Sequence, residues 1–279
     1  MKLFITGGTG FIGSHFINAA HSAGHELVCI KRQSSTPRIN LNKEPTWVYG
    51  NLDDEFDSDL FKDVDVFVHL AAHSANAPYD SLEKCLYWNQ TASLKLFNIA
   101  YNAGIDRFLV AGSCFEYGRS GERYEFIPSD ASLEPTMTYP ASKASAFCTF
   151  YAWSVLNNIR LKYLRIFQVF GNGEAENRFW PSLRKAALNG DDFRMTKGEQ
   201  IRDFIPVQQV AEQLNSNLDF NYSFTKNPII KNIGTGIPTS LSDFACYWWK
   251  KFNAAGEIIF GALPYRDNEI MRYVPMIND

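Results

Sequence analysis

The amino-terminal stretch from Lys2 to Gly13 constrains this chain more than any other part of it. Leu3, Phe4 and Ile5 make an apolar run of the length a buried parallel strand needs. Gly7, Gly8 and Gly10 then turn the chain, and Gly13 falls where a helix should begin. Gly8–Thr9–Gly10–Phe11–Ile12–Gly13 fits G-x-G-x-x-G in the strand–turn–helix setting that gives the pattern its meaning. One glycine permits a tight turn, one lets main chain approach a pyrophosphate, and one lets the helix pack closely on the strand. The helix N-terminus adds free N–H groups and a partial positive charge. The expected ligand is a dinucleotide held by Gly7, Gly10, Phe11, Ile12 and Gly13; the alternative is a glycine-rich turn without a ligand.

The pattern repeats downstream. A helix over 11–23 ends at Gly24, and Glu26 to Ile30 is a second strand. Asp65 to Leu70 is another buried strand, followed by the small residues Ala71 and Ala72. The spacing predicts a long helix over 82–103, a strand from Arg107 to Ala111, a helix over 140–157 and a strand from Leu161 to Phe167. Strand and helix in alternation predict an α/β fold with a doubly wound parallel sheet of the Rossmann type. Beyond Gly171 the elements shorten. A helix near 180–189, a strand from Asp203 to Pro206, a helix near 207–219 and a strand from Ile229 to Ile233 are expected. The division that follows is a dinucleotide-binding domain over 1–170, rejoined by 203–236, and a smaller substrate-binding lobe from 171–202 and 237–279.

A chain of 279 residues can bury a sizeable core, and its formal net charge of −3 gives no electrostatic case for nucleic acid or an anionic membrane. No apolar run has the length of a membrane span, and no signal-peptide pattern precedes Leu3. Five scattered cysteines without a CxxC fit free thiols. A cytoplasmic protein is expected. His21 and His25 are four apart, but Gly24 intervenes, so they are expected to bind no metal.

Tyr139 and Lys143, four apart on a predicted helix, share one face. An ammonium beside a phenol favours the phenolate, which makes the tyrosine a usable general acid or base. Ser113 lies at the carboxyl end of a central strand, where ligands bind in such sheets. Its hydroxyl is placed to hold a substrate oxygen for Tyr139; a plain turn-forming hydroxyl is the alternative. Lys31 and Arg32 follow the second strand, where an acid would hold the ribose hydroxyls of NAD. Basic residues there suit a 2′-phosphate and so NADP, or else form a solvated loop.

With these residues in place, the chain resembles the extended short-chain dehydrogenases/reductases of the NAD(P)-dependent epimerase/dehydratase type, which act on nucleotide sugars. The resemblance runs over nearly the whole chain. It is carried by Thr6 to Gly13, His69–Leu70–Ala71–Ala72, Asn89, Ser113 ahead of Tyr117–Gly118, Tyr139–Pro140–Ala141–Ser142–Lys143 and Leu164 to Gly171. Gly198 to Ile205, Asn232 to Gly236 and Pro264 to Glu269 extend it. It implies that Ser113, Tyr139 and Lys143 are catalytic, around hydride transfer at the nicotinamide. It implies that Leu70, Ala71 and Ala72 lie against the cofactor, and that Arg202 and Arg266 hold the substrate diphosphate. It also implies a homodimer through the 82–103 and 140–157 helices.

Several positions depart from the family pattern. Gly50–Asn51 stands where a Gly-Asp pair contacts adenine, so Asn51 and Leu52 are the expected adenine neighbours. Gln168 replaces a common substrate-contacting Asn. Cys114 and Phe115 stand where 4,6-dehydratases carry Asp-Glu. Cys114 is either a packed thiol or a substrate-side proton carrier. The family commonly continues past the Arg266 motif with a further tail. The expected activity is NADPH-dependent reduction of a 4-keto-6-deoxy nucleotide sugar, CDP- or dTDP-linked, in deoxysugar and surface-polysaccharide synthesis. The alternatives are a 4-epimerase with tightly held NAD, or a cofactor-binding sensor or scaffold without catalysis.

Overall fold

The fold was taken from a computed structural model, which describes residues 1–220, 228–267 and 269–277. Its strands in chain order are β1 (Lys2–Thr6), β2 (Glu26–Lys31), β3 (Thr46–Tyr49), β4 (Val66–His69), β5 (Arg107–Ser113), β6 (Arg160–Ile166) and β7 (Gln168–Phe170). Shorter ones follow: β8 (Phe193–Arg194), β9 (Ile201–Arg202), β10 (Phe204–Pro206), β11 (Ile229–Ile233), β12 (Thr239–Ser240), β13 (Ile258–Ile259) and β14 (Arg272–Tyr273). The helices are α1 (Phe11–Ser22), α2 (Leu82–Leu86), α3 (Ser93–Asn102), α4 (Thr138–Leu156), α5 (Phe179–Asn189), α6 (Val207–Ser216) and α7 (Leu241–Lys251).

Seven parallel strands form the main sheet in the order β11-β6-β5-β4-β1-β2-β3. The order reverses between β1 and β4, and in such sheets the crevice at the carboxyl ends beside the reversal is where ligands bind. Side-chain alternation on β1 separates the two faces. Leu3 and Ile5 join Phe16, Ile17 and Val210 beneath α1 and α6, while Phe4 joins Phe67, Phe97, Phe108, Phe150 and Trp153 beneath α3 and α4. The core aromatics meet in tilted and edge contacts, for example Phe97 with Phe150 at 4.7 Å and Phe108 with Trp153 at 5.0 Å.

Two expectations need correction. The segment from 82 to 103 is not one uniform α-helix: Tyr87–Ala92 between α2 and α3 is a π-helical turn. Such turns often place a functional side chain, and this one carries buried Asn89, whose Nδ2 donates to Ser142 Oγ at 2.8 Å and whose Oδ1 accepts from the His73 N–H at 2.6 Å. Asp203 is not part of a strand. Its buried carboxylate instead accepts from the Thr235 and Gly236 N–H groups at 2.9 and 2.6 Å, and so ties the end of β9 to the turn after β11.

Candidate active site

The glycine turn has the shape of a cradle. Gly7 has φ +74°, and a Cβ there would lie 2.5 Å from Ala71 N and Leu70 C. A Cβ on Gly13 would lie 2.1 Å from Gly7 O, and Gly10 N–H donates to that same oxygen at 2.9 Å. α1 starts at Phe11 with Gly10 as its N-cap, no side-chain cap and no acid in the first turn. Its first N–H groups are therefore left to a phosphate. This cradle has the shape a dinucleotide would need, with the main chain of Phe11, Ile12 and Gly13 at the helix start available to a pyrophosphate and Gly10 closing the turn. Beside it, Leu70 N–H donates to Thr6 O at 3.1 Å and Ala71 N–H to Thr6 Oγ1 at 3.4 Å. These bonds pin the segment bearing Ala72 to β1.

At the far wall of the crevice, β2 ends in Lys31. Its ammonium lies 4.6 Å from the Trp47 ring and 5.3 Å from the Tyr49 ring, so aromatic faces of β3 already engage it. Arg32 is exposed, with Nε donating to Ser35 Oγ at 3.3 Å. The basic pair therefore splits: Lys31 is a packed cation and Arg32 is the outward one. Asn51 is exposed and its N–H donates to Asp54 Oδ2 at 2.8 Å; Leu52 packs on the aromatic cluster beneath α3.

Ser113, Tyr139 and Lys143 come together in the interior, each less than a tenth exposed. Ser113 ends β5 and caps a short 3₁₀ turn, Cys114–Tyr117; its Oγ accepts from the Phe115 N–H at 3.3 Å. Tyr139 and Lys143 lie on the first turns of α4, with Pro140 accommodated where its missing N–H costs nothing. Lys143 Nζ donates to Ala111 O at 2.7 Å, which fixes the ammonium against β5. The Tyr139 ring packs on that of Tyr79 at 5.5 Å.

The electrostatics correct a simple expectation. Burial, and then the Glu116 carboxylate, push the Tyr139 phenol above its ordinary range, and hydrogen bonding with Ser113 only partly offsets them. Burial lowers the Lys143 ammonium, against the pull of Glu116. The expected lowering of the Tyr139 pKa toward neutrality by Lys143 is thus not seen in the protein alone: burial and the Glu116 charge set the phenol, while the ammonium is turned to Ala111 O. His69, hydrogen-bonded through Nδ1 to Thr6 Oγ1 at 2.8 Å, is pushed down to about 3 by burial and Lys143, and stays neutral beside the set.

Cys114 is buried among Tyr117, Ile127, Phe167 and Tyr273, and burial pushes its thiol up to about 12. That favours packing over proton transfer. Gln168 starts β7, part-buried. Arg202 is not free: Nη2 donates to Glu269 Oε1 at 2.9 Å and to Ile270 O, and Nη1 to Ile201 O at 2.9 Å. Its partner is Glu269 rather than the neighbouring Asp203. Arg266 is exposed, and its charge, with that of Arg178, acts on the part-buried Tyr79 phenol. Sequence reasoning missed Tyr79, Glu116 and Arg178; Glu116, three residues after Ser113, carried a capping-box signal. Among the described residues no cluster suited to a metal is present, and no helix is long and apolar enough to cross a membrane. His21 and His25 each leave a buried Nδ1 without a partner.

Comparison with known proteins places this geometry. The family model described as "NAD dependent epimerase/dehydratase family" matches residues 3–230. CDP-abequose synthase of Salmonella typhimurium is 27% identical over 274 residues, covering 96% of this chain and 87% of that protein. A putative UDP-glucose 4-epimerase of Methanocaldococcus jannaschii is 26% identical, covering 97% and 88%. The structure of UDP-N-acetylglucosamine 4-epimerase from Methanobrevibacter ruminantium M1, in complex with UDP-N-acetylmuramic acid, superposes with a TM-score of 0.88 at 26% identity, over 99% of this chain and 89% of that one.

Proposed function

This chain belongs to the NAD dependent epimerase/dehydratase family and is a nucleotide-sugar-modifying enzyme of that type, and from that premise we propose that it reduces a 4-keto-6-deoxy nucleotide sugar with a nicotinamide dinucleotide. The observation that carries the reading is the convergence of Ser113, Tyr139 and Lys143 at the carboxyl end of β5, beside the glycine cradle. The dinucleotide, seated on residues 10–13 and lying along residues 70–72, supplies hydride chemistry when bound. Ser113 orients the sugar carbonyl or hydroxyl oxygen, Tyr139 moves its proton, and Lys143 holds its ammonium where it stabilises the charge that develops on the phenol oxygen. Arg266 and Arg202 grip the diphosphate in this reading, with Gln168 on the sugar side and Cys114 packed in the apolar cluster next to Ser113.

The likeness to CDP-abequose synthase over 96% of the chain supports a deoxysugar substrate. The absence of an acid after β2 and the outward Arg32 support NADP. The 4-epimerases, similar over as much of the chain, support the second reading, a 4-epimerase with tightly held NAD. Exposed Leu82, Tyr87, Tyr151, Val155 and Leu156 on the 82–102 segment and α4 support a homodimer through those faces. The deciding experiment mixes the protein with CDP- and dTDP-4-keto-6-deoxyglucose and NADPH, and in parallel with UDP-glucose and NAD, following reduced-nicotinamide absorbance and sugar products. Stoichiometric NADPH consumption is expected. Conversion of UDP-glucose to its 4-epimer without net redox change overturns reduction in favour of epimerisation. Cofactor binding without turnover of either pair leaves a sensor or scaffold.

A further inference from the structure

Beneath the Ser113 end of β5 lies a polar cluster that the reading above leaves unused. Glu116 and Arg165 are both fully buried. Glu116 Oε1 accepts from the Ser113 N–H at 2.8 Å and from the Tyr163 hydroxyl at 2.7 Å, and Oε2 accepts from Arg165 Nε at 2.7 Å. Arg165 is fixed in turn. One terminal nitrogen donates to Ser129 O at 2.8 Å, and its guanidinium lies 4.2 Å from the Phe147 ring and 4.9 Å from that of Tyr117. The Tyr163 hydroxyl, whose one proton goes chiefly to Glu116, has only a weak shared arm to Lys143 O at 3.4 Å, and its ring packs on Phe147 of α4 at 4.9 Å. Gly112 leaves the space for this: a Cβ there would lie 2.3 Å from the Tyr163 ring and 2.9 Å from Glu116 Oε1.

A buried ion pair seldom adds stability over apolar side chains of the same volume, so its worth here lies in what it fixes. Ser113 comes from β5, while Tyr139 and Lys143 come from α4; nothing in the local sequence sets the distance between the two elements. We infer that Glu116 is the positioning residue for this set: its single carboxylate holds the Ser113 main chain and, through Tyr163, the Lys143 turn of α4, and it faces the reacting groups with a negative charge. The inference rests on the reading that Ser113, Tyr139 and Lys143 catalyse.

The charges around the set give the sign of the effect. Tyr139 faces Glu116 and Cys114 from the 3₁₀ turn, Tyr79 from the loop before α2, and Tyr163 from β6; Lys143 faces Glu116 and, across β4, neutral His69. Glu116 opposes ionisation of Tyr139, so its removal lets the phenol ionise at lower pH. The limb of the pH–rate profile that belongs to Tyr139 then moves to lower pH, whether the step needs phenol or phenolate.

The test uses E116Q, the double variant E116Q/R165M and Y163F, with Tyr139→Phe as control. They are assayed for turnover across pH with the substrate pairs named above, for NADPH affinity by fluorescence, and for cooperative melting. E116Q is expected to lose about tenfold or more in kcat, with sugar KM and NADPH affinity within about threefold, and to move the Tyr139 limb to lower pH. Y163F, which keeps the charge, is expected to lower kcat with the limb in place. E116Q/R165M, which leaves no unpaired charge behind, is expected to melt cooperatively and to shift the limb in the same direction by less than E116Q, since the Arg165 cation goes with the Glu116 anion, so a misfolded E116Q does not end the test. A folded E116Q or E116Q/R165M with wild-type kcat and an unmoved limb overturns the inference while a dead Tyr139→Phe leaves the catalytic reading standing. Full turnover in Tyr139→Phe, or no turnover in the wild type, overturns the catalytic reading and this inference with it.

Discussion

Two buried carboxylates, one under the floor of the crevice and one at its rim, are treated in opposite ways. Under the floor, Glu116 accepts three hydrogen bonds of 2.7–2.8 Å and is matched by Arg165. At the rim, Glu174 precedes α5, its side chain only 6% exposed, with a long contact of 3.5 Å to Arg178, a backbone contact with Gly171 and an Oε2 that has no hydrogen-bond partner. Burial pushes the Glu174 carboxyl up to about 7. A satisfied network holds one geometry, whereas an under-satisfied buried pair keeps its arginine available to another anion. Under the proposed function, such a floor holds the Ser113, Tyr139 and Lys143 set still, while the rim keeps a guanidinium available to an anionic substrate.

The sharpest break of this contrast is at the floor. Tyr139→Phe removes one hydroxyl from a side chain whose ring stays packed on Tyr79. Turnover is expected to fall by about 10²–10⁴-fold, with dinucleotide affinity within a few-fold of wild type. Steady-state kinetics and a cofactor titration measure both. Turnover near the wild-type value would remove Tyr139 from the chemistry.

The sequence disclosed the floor better than the rim, for a physical reason. The glycine turn, the Tyr139–Lys143 spacing and the strand ends are local patterns, and α4 and β5 lie where that periodicity puts them. Even so, the periodicity concealed the π-helical turn at Asn89, because one extra residue per turn barely alters an apolar stripe. The partners of Glu116 come from β5 and β6, and the partner of Arg202 is 67 residues away. No spacing rule reaches that far. The desolvation that raises Tyr139 is equally invisible in one dimension, since it depends on which elements cover the phenol. Asp203 is the acid next to Arg202 in the chain, yet strand geometry turns the two side chains to different neighbours.

The rim carboxylate gives the next largest effect, read as stability. Glu174 holds its proton in the folded protein up to about pH 7, while in the unfolded chain it releases it near 4.5. Between those values the folded state binds more protons, so stability falls as pH rises through the window and the contribution is gone above it. The full change is about 3 kcal/mol. Denaturant melts at pH 5 and pH 8 should show this loss in the wild type and a flatter dependence in Glu174→Gln. Equal slopes in the two proteins would mean that the rim carboxylate is better solvated than its burial implies.

The two arginines separate next. Arg266→Ala is expected to raise the sugar-nucleotide KM about tenfold or more, the worth of a charge-assisted hydrogen bond, with NADPH affinity and Tm unchanged because the side chain is exposed. Arg202→Ala is expected to raise KM and also to lower Tm, since it leaves Glu269 unpaired. A lowered Tm with an unchanged KM would make Arg202 a strut for the 266–270 segment and leave the diphosphate to Arg266 and Arg178.

The smallest effect concerns Arg32. Lys31, stacked on Trp47 and Tyr49, gives up aromatic contacts if it turns to a 2′-phosphate. Arg32 gives up one hydrogen bond of 3.3 Å to a serine on its own loop. A guanidinium matches phosphate oxygens with its planar fork, but on an exposed loop the attraction is cut by salt and solvent. Arg32→Ala should therefore cost about tenfold in NADPH affinity and leave NADH affinity unchanged, whereas Lys31→Ala should weaken both through lost packing on β3. Paired dissociation constants at low and high salt decide it, because a phosphate contact weakens as salt rises and an aromatic contact hardly does. If the wild type binds NADH more tightly than NADPH, the basic pair is only a solvated strand end, and the 4-epimerase with tightly held NAD becomes the better reading of the whole site.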